Sequence, residues 1–238
     1  VAEYVMSTLA SYLLGNTVVQ WTLTLSLMLF AMGIGSRVSK NIKNNLLDVF
    51  VAVEFLLSLV CGVSAISVYF LSIYIPEIGL IIYFISFTIG FLIGLEIPLV
   101  TRLNDLFEEL RVNISTIMEK DYYGSLLGGL FFAFFALPNL GLTYTPIILG
   151  AVNFLVAMLL VYKFYKYLNA KKLILSGAAL IPVVLILFTL FAKPVVLFGE
   201  QHKYVDHIIF EQQTPYQRII ITQWKDHHWL YLNGNEQF

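Results

Sequence analysis

The sequence predicts a mainly α protein: a polytopic membrane helix bundle of about six spans, with a seventh truncated at its N-terminus, followed by the start of a β-hairpin region. Three observations lead there. Of 238 residues, 59% are hydrophobic and 12% charged, with a mean hydropathy of +0.82, which is more apolar than a soluble core requires. The apolar residues fall into runs near the ~20 residues that a helix needs to cross ~30 Å of hydrocarbon. Only the stretch from Thr214 to Phe238, TPYQRIIITQWKDHHWLYLNGNEQF, alternates with the period of a strand.

Taken in order, Val1 to Asn16 is moderately apolar but too short to span; it reads as the end of a first helix or an interfacial turn. Thr17 to Ser36 is the first full span, followed by the basic loop Arg37 to Lys43. Leu46 to Ile75 is the second, closed by Pro76-Glu77. Leu80 to Val100 is the third, followed by a charged loop from Thr101 to Lys120. Asp121 to Leu137 is the fourth, with Pro138 to Gly141 as a turn, and Pro146 to Tyr162 is the fifth. Leu173 to Ala192 is the sixth, stopped by Lys193-Pro194. This divides the chain into a helical domain, 1–195, and the beginning of a second domain, 196–238. Short loops imply antiparallel neighbours. Small residues at four-residue spacing (Ala31 and Gly35, Gly90 and Gly94, Gly124 and Gly128) predict faces where helix backbones approach closely.

A net charge of −1 supplies no basic stripe for phosphates, so a nucleic-acid partner is not expected. The one cysteine, Cys61, lies in an apolar run and reads as a packing residue. His202, His207, His227 and His228 invite a metal reading, but adjacent histidines on a strand face opposite ways, a poor chelate, and no metal is expected. The stretch YKFYKY, Tyr162 to Tyr167, reads as an interfacial aromatic belt with snorkelling lysines. No signal peptide is visible at Val1, and both ends read as internal to a longer chain.

Within Thr214 to Phe238, the polar turn Lys225 to His227 divides a strand from Trp229 to Leu232. Asn233-Gly234, a pair that tolerates positive φ, then turns the chain into Asn235 to Phe238. The pattern TPYQRIII, a gap, then LYLNGNEQF resembles the opening β-hairpins of spermidine synthases, the aminopropyltransferases, with Asn233 where that family usually has Asp. SYLLGNTVVQWTLTLSLMLFAMGIGSRVS and DYYGSLLGGLFFAFFALPNLGL resemble the multi-pass domain fused to some bacterial members. The resemblance implies a membrane-anchored enzyme of polyamine biosynthesis in the bacterial inner membrane. It would transfer an aminopropyl group from decarboxylated S-adenosylmethionine, a co-substrate rather than a tightly bound cofactor, to putrescine. It also implies that Gln217 contacts the donor nucleotide and that Leu232 and Gln237 line the same cleft. A glycine-rich nucleotide loop and a catalytic Asp are missing and are expected beyond Phe238, so no catalytic residue is assigned. Two other readings compete: a transporter-like or scaffold membrane domain without catalysis, and a membrane-tethered methyltransferase-like enzyme. The bilayer is the expected partner, and a homo-oligomer is compatible with the sequence.

The charges give a direction. Basic residues fill the loops after the first, third and fifth spans, whereas Pro76 to Gly79 and Pro138 to Tyr144 carry none, a positive-inside pattern. Followed through, it delivers the hairpins to the outer face, which conflicts with cytosolic substrates, and the sequence leaves the side open. Glu54 and Glu96 fall within ~12 Å of the basic end by helix rise. Together with Arg37, Arg102 and Asp121 they are expected to form a structural ion-pair cluster, with a proton relay or polar substrate cavity as the alternative.

Overall fold

A computed structural model describes residues 1–75, 77–105, 110–201, 204–214, 218–232 and 234–237. Among the described residues seven α-helices lead to a small sheet: α1 Ala2–Leu14, α2 Thr17–Ser39, α3 Leu46–Leu71, α4 Ile78–Asn104, α5 Leu110–Phe131, α6 Leu137–Phe164 and α7 Lys171–Gln201. A π-helical turn, Phe132–Ala136, joins α5 to α6. Four stretches, α2, α3, α4 and α7, and a fifth covering residues 112–167, are long and apolar enough to cross a membrane.

The helix ends differ from expectation in four places. The segment expected as a charged loop up to Lys120 is helical again from Leu110, so α5 begins well before Asp121. Pro138 and Asn139 lie within the helix, and the break falls on Gly141 alone, at φ 63°, a backbone region that glycine occupies without penalty. Thr145 Oγ1 donates to the freed Gly141 carbonyl at 2.6 Å. The predicted fourth and fifth spans thus lie on either side of one bend in a continuous helical stretch. Pro194 does not stop α7, which runs on to Gln201 with both Pro182 and Pro194 inside it; each proline removes one N–H, and neighbouring packing tolerates the loss. Finally, Val1 to Asn16 is a true helix with a largely buried face, ended by Gly15 at φ 73°. Asn16 then caps α2 by accepting from the Val19 N–H at 3.4 Å.

Backbone contact at small residues fixes the bundle. A Cβ on Gly90 would meet the Met28 carbonyl oxygen at 2.6 Å, and one on Gly94 would lie 2.6 Å from the Met32 Cα. Gly35 sits against the Phe91 carbonyl in return, so α2 and α4 run side by side in the same direction. Gly150 of α6 packs on Ser58 and Gly62 of α3, where Ser58 Oγ donates to the Gly150 carbonyl at 2.6 Å. Of the predicted pairs, Ala31/Gly35 and Gly90/Gly94 therefore lie in an interface. Gly124 has open space around it and Gly128 meets only a Val1 methyl, because this part of α5 is exposed.

The sheet is antiparallel in the order β1-β2-β3-β4: β1 His207–Gln213, β2 Arg218–Trp224, β3 His227–Leu232 and β4 Asn235–Glu236. Lys225 at φ 55° makes the first tight turn and Gly234 at φ 79° the second, as the sequence predicts. β1 is not anticipated, because Ile208, Ile209 and Phe210 are consecutive apolar residues. A bulge between Ile208 and Phe210 leaves Ile209 without an opposite residue and breaks the period-two pattern.

Gly94→Val should destabilise the detergent-solubilised protein by about 1–3 kcal/mol or more, read as a lowered thermal midpoint. Gly124→Ala should leave that midpoint unchanged or raise it, since nothing contacts the added methyl.

Candidate functional site

Strand alternation divides the sheet into two faces. Register places Arg218, Ile220 and Thr222 of β2 on one face with Glu211 of β1 and Tyr231 of β3. The β2 members of this set are buried. Ile219, Ile221, Leu230 and Leu232 occupy the other face and are half-buried.

The buried face docks onto the helices through one guanidinium. Arg218 is 5% exposed and Glu200, in the last turn of α7, is 0% exposed. Arg218 Nη2 lies 3.2 Å from Glu200 Oε2 and also pairs with Glu211. Its Nη1 donates to the Tyr69 hydroxyl at 3.0 Å, and the Tyr12 hydroxyl donates to Glu200 Oε1 at 2.9 Å. The guanidinium carbon stands 5.1 Å from the centre of the Tyr12 ring and 5.9 Å from that of Tyr69, within cation–π reach. Helices α1, α3 and α7 and strands β1 and β2 therefore meet at one charge. Burial works against that charge, but Tyr69, Glu200, Tyr12 and Glu211 more than offset it, and the Arg218 pKa is held above that of a free arginine.

The backbone makes this meeting possible at Gly199, where a Cβ would come 2.6 Å from the Tyr69 carbonyl oxygen. Gln201 ties the end of α7 to the sheet: its side-chain amide donates to the Asp206 carbonyl at 2.8 Å and accepts from the Ile208 N–H at 3.0 Å. Tyr204 packs edge-on against Tyr231, ring centres 4.6 Å apart. Burial, helped by Glu200, pushes the Tyr204 phenol up to about 12. Beside this junction a cavity of about 520 Å³ opens between the bend at Gly141, the end of α7 and the sheet, with Lys193, Glu211 and Arg218 on its walls.

The residues expected to hold a donor are distributed as follows. Gln217 lies outside the described residues. Leu232 ends β3 opposite Asn235 and Ile219. Gln237 is exposed; its N–H donates to the Leu230 carbonyl at 2.8 Å, and its side-chain amide donates to the Asn235 and Glu236 carbonyls at 3.1 and 3.3 Å. Continuing the β3–β4 register puts Gln237 opposite Leu230, hence on the same face as Leu232. Both belong to the face turned away from the helices.

The charges inside the bundle arrange themselves differently from expectation. Glu54 of α3 and Glu96 of α4 face each other within the bundle. Among the described residues neither forms an ion pair. Arg102 turns instead to backbone, donating to the Ser39 carbonyl at 2.8 Å and to that of Ile42. It satisfies carbonyls left open where α2 ends, and the expected cluster with Glu54 and Glu96 does not form.

Arg218→Met strands Glu200 without its cation, and should cost about 3–5 kcal/mol in unfolding stability, measured by thermal or denaturant unfolding. Combining it with Glu200→Leu should recover a large part of the loss, because the uncompensated carboxylate is gone.

No family model matches the chain, and no solved structure matches it. Curated relatives do, from end to end. A polyamine aminopropyltransferase 2 of Aquifex aeolicus is 43% identical over 239 residues, covering 100% of this chain and 48% of the relative. A polyamine aminopropyltransferase of Leptospira interrogans is 36% identical over 240 residues, covering 100% and 48%. One of Oceanobacillus iheyensis is 33% identical over 239 residues, covering 99% and 47%. The chain spans about half the length of these relatives, and over all of its own length it is homologous to the polyamine aminopropyltransferases, the spermidine synthase family.

Proposed function

We propose that this chain is the membrane-embedded helical domain and the first β-hairpins of a multi-pass, cell-membrane aminopropyltransferase of polyamine biosynthesis. The reading rests on its end-to-end similarity to proteins of that name. The apolar helices support the membrane part of it.

The reaction would be a displacement at carbon. A neutral amine nitrogen of putrescine attacks the propyl carbon bound to the sulfonium of decarboxylated S-adenosylmethionine. The new C–N bond forms as the C–S bond breaks, the electron pair leaves on sulfur as a neutral thioether, and a carboxylate takes the ammonium proton. The part of this chain is to build one wall of the donor site. Gln217, Leu232 and Gln237 are the residues proposed for it. An amide both donates and accepts without adding charge beside a cationic donor. Ile219, Ile221, Leu230 and Leu232 give the face that carries Leu232 and Gln237 an apolar surface for further protein to cover. The buried face, held by Arg218, sets the orientation of that wall relative to the helices.

Titration calorimetry of the purified full-length protein with decarboxylated S-adenosylmethionine tests this. Binding is expected, and Gln217→Ala should weaken it roughly ten-fold, since each lost hydrogen bond is worth about 0.5–1.5 kcal/mol. Putrescine affinity should stay unchanged. A folded protein that binds neither the donor nor its thioether product would rule the reading out.

A further inference from the structure

We infer that the sheet lies on the non-cytoplasmic side of the membrane, so that the aminopropyl transfer proposed above takes place outside the cytoplasm and depends on a prior step that carries its cationic substrates across. The inference rests on that reading only for its second half; the orientation follows from the position of the sheet and the distribution of basic residues.

The bundle has two ends that hydrogen bonds and contacts define independently. At one end, Arg102 of α4 donates to Ser39 and Ile42 beyond α2. There too the Asn169 and Ala170 N–H groups, ahead of α7, donate to Asp48 at the start of α3, at 2.9 and 2.8 Å. The connections α2–α3, α4–α5 and α6–α7 therefore share this end. At the other end, Leu14 of α1 lies against Gly79 of α4. Tyr12 and Tyr69, near the C-termini of α1 and α3, meet Glu200 and Arg218. The connections α1–α2 and α3–α4, the bend at Gly141 and the whole sheet belong here.

Basic residues of the short connections fall almost entirely at the first end; Lys193 and Arg218 at the second lie in α7 and the sheet. Arg37, Lys40 and Lys43, then Arg102, then four lysines between Lys163 and Lys172 mark the first end. Residues 15–16, 72–77 and 138–145, the short connections of the second, contain no lysine or arginine. Cytoplasmic loops are those that retain Lys and Arg, and short connections are where the rule has force; a longer folded segment such as the sheet crosses regardless of its own charges. The first end is thus cytoplasmic. Because α7 starts there and finishes at Gln201 beside the sheet, it carries the chain outward. An α7 lying along the surface would leave the sheet inside, but its Glu200 meets Tyr12 and its Gly199 lies against Tyr69 at the far end of the bundle. A diamine and a sulfonium nucleoside are both cations, and a charge does not cross hydrocarbon unaided at a useful rate. A transport step must therefore precede the reaction.

Single-cysteine variants of the full-length protein in its host membrane test the orientation, with Cys61 and any further native cysteine changed to Ala. Asp226→Cys in the β2–β3 turn, and Lys40→Cys and Lys172→Cys at the other end, replace exposed residues. A membrane-impermeant maleimide applied to intact spheroplasts should modify Asp226→Cys as fast as in detergent. It should modify Lys40→Cys and Lys172→Cys only after permeabilisation. The reverse pattern, or labelling of all three without permeabilisation, overturns the inference. Any variant that stays unmodified in detergent is replaced by its neighbour, Lys225→Cys or Asn41→Cys, before the comparison is made. Activity supplies the second arm: right-side-out vesicles given external donor and putrescine should form spermidine, and sealed inverted vesicles should not. Product from inverted vesicles alone overturns the inference. If neither preparation is active while the labelling holds, the enzymatic reading fails and the orientation stands.

Discussion

A single buried cation holds this molecule together at the point where its two kinds of structure meet. The Arg218 guanidinium leaves water to sit among Glu200, Glu211, Tyr12 and Tyr69. Left alone there it would cost several kcal/mol, so the arrangement is stable only as a complete set. Each member comes from a different element, and the set forms only when α1, α3, α7, β1 and β2 are all in register. Apolar contact between sheet and bundle could slide; five donors in a rigid fork facing two carboxylates and a phenol cannot. The junction therefore contributes geometry more than net stability.

The bundle beneath it is fixed by different physics. Close approach of backbones at small residues sets how its helices pack. Gly35, Gly90 and Gly94 set α2 directly on α4, and Gly62 and Gly150 do the same for α3 and α6. Gly199 continues this logic to the junction, allowing the last turn of α7 to touch α3 where Tyr69 reaches Arg218. A rigid bundle and an interlocked charge together mean that the outer face of the sheet has one orientation relative to the helices. The residues of that face, Leu232 and Gln237 among them, inherit it.

Much of this was legible in the chain. Long apolar runs mark α2, α3, α4 and α7 because no polar stripe interrupts them. The turns at Lys225 and Gly234 are readable because positive φ restricts the residue types that can stand there. The resemblance to aminopropyltransferases rests on these same hairpins and on two of the helical stretches, and agrees with the relatives found. What escaped is equally specific. The bulge at Ile209 hid β1, since one extra residue reverses the faces and cancels the alternation. Gly141 concealed the bend within α6, because Pro138, three residues before it, looks like the breaker while sitting harmlessly in the first turn of the helix.

By itself the sequence determined the positions of most of the long apolar helices, the two tight turns and the separation of basic from uncharged connections. All of these are local properties, set by hydrophobicity, period and backbone φ. Only the tertiary structure decided which face of β2 is buried, since alternation defines two faces and an arginine on one of them ordinarily marks the wet side. It also decided that α7 continues past Pro194, which brings Glu200 to Arg218 from eighteen residues away in the chain, and Tyr12 and Tyr69 from much farther. A buried charge is affordable only when its partners arrive together. Their arrival depends on helix lengths and crossings that no single segment encodes.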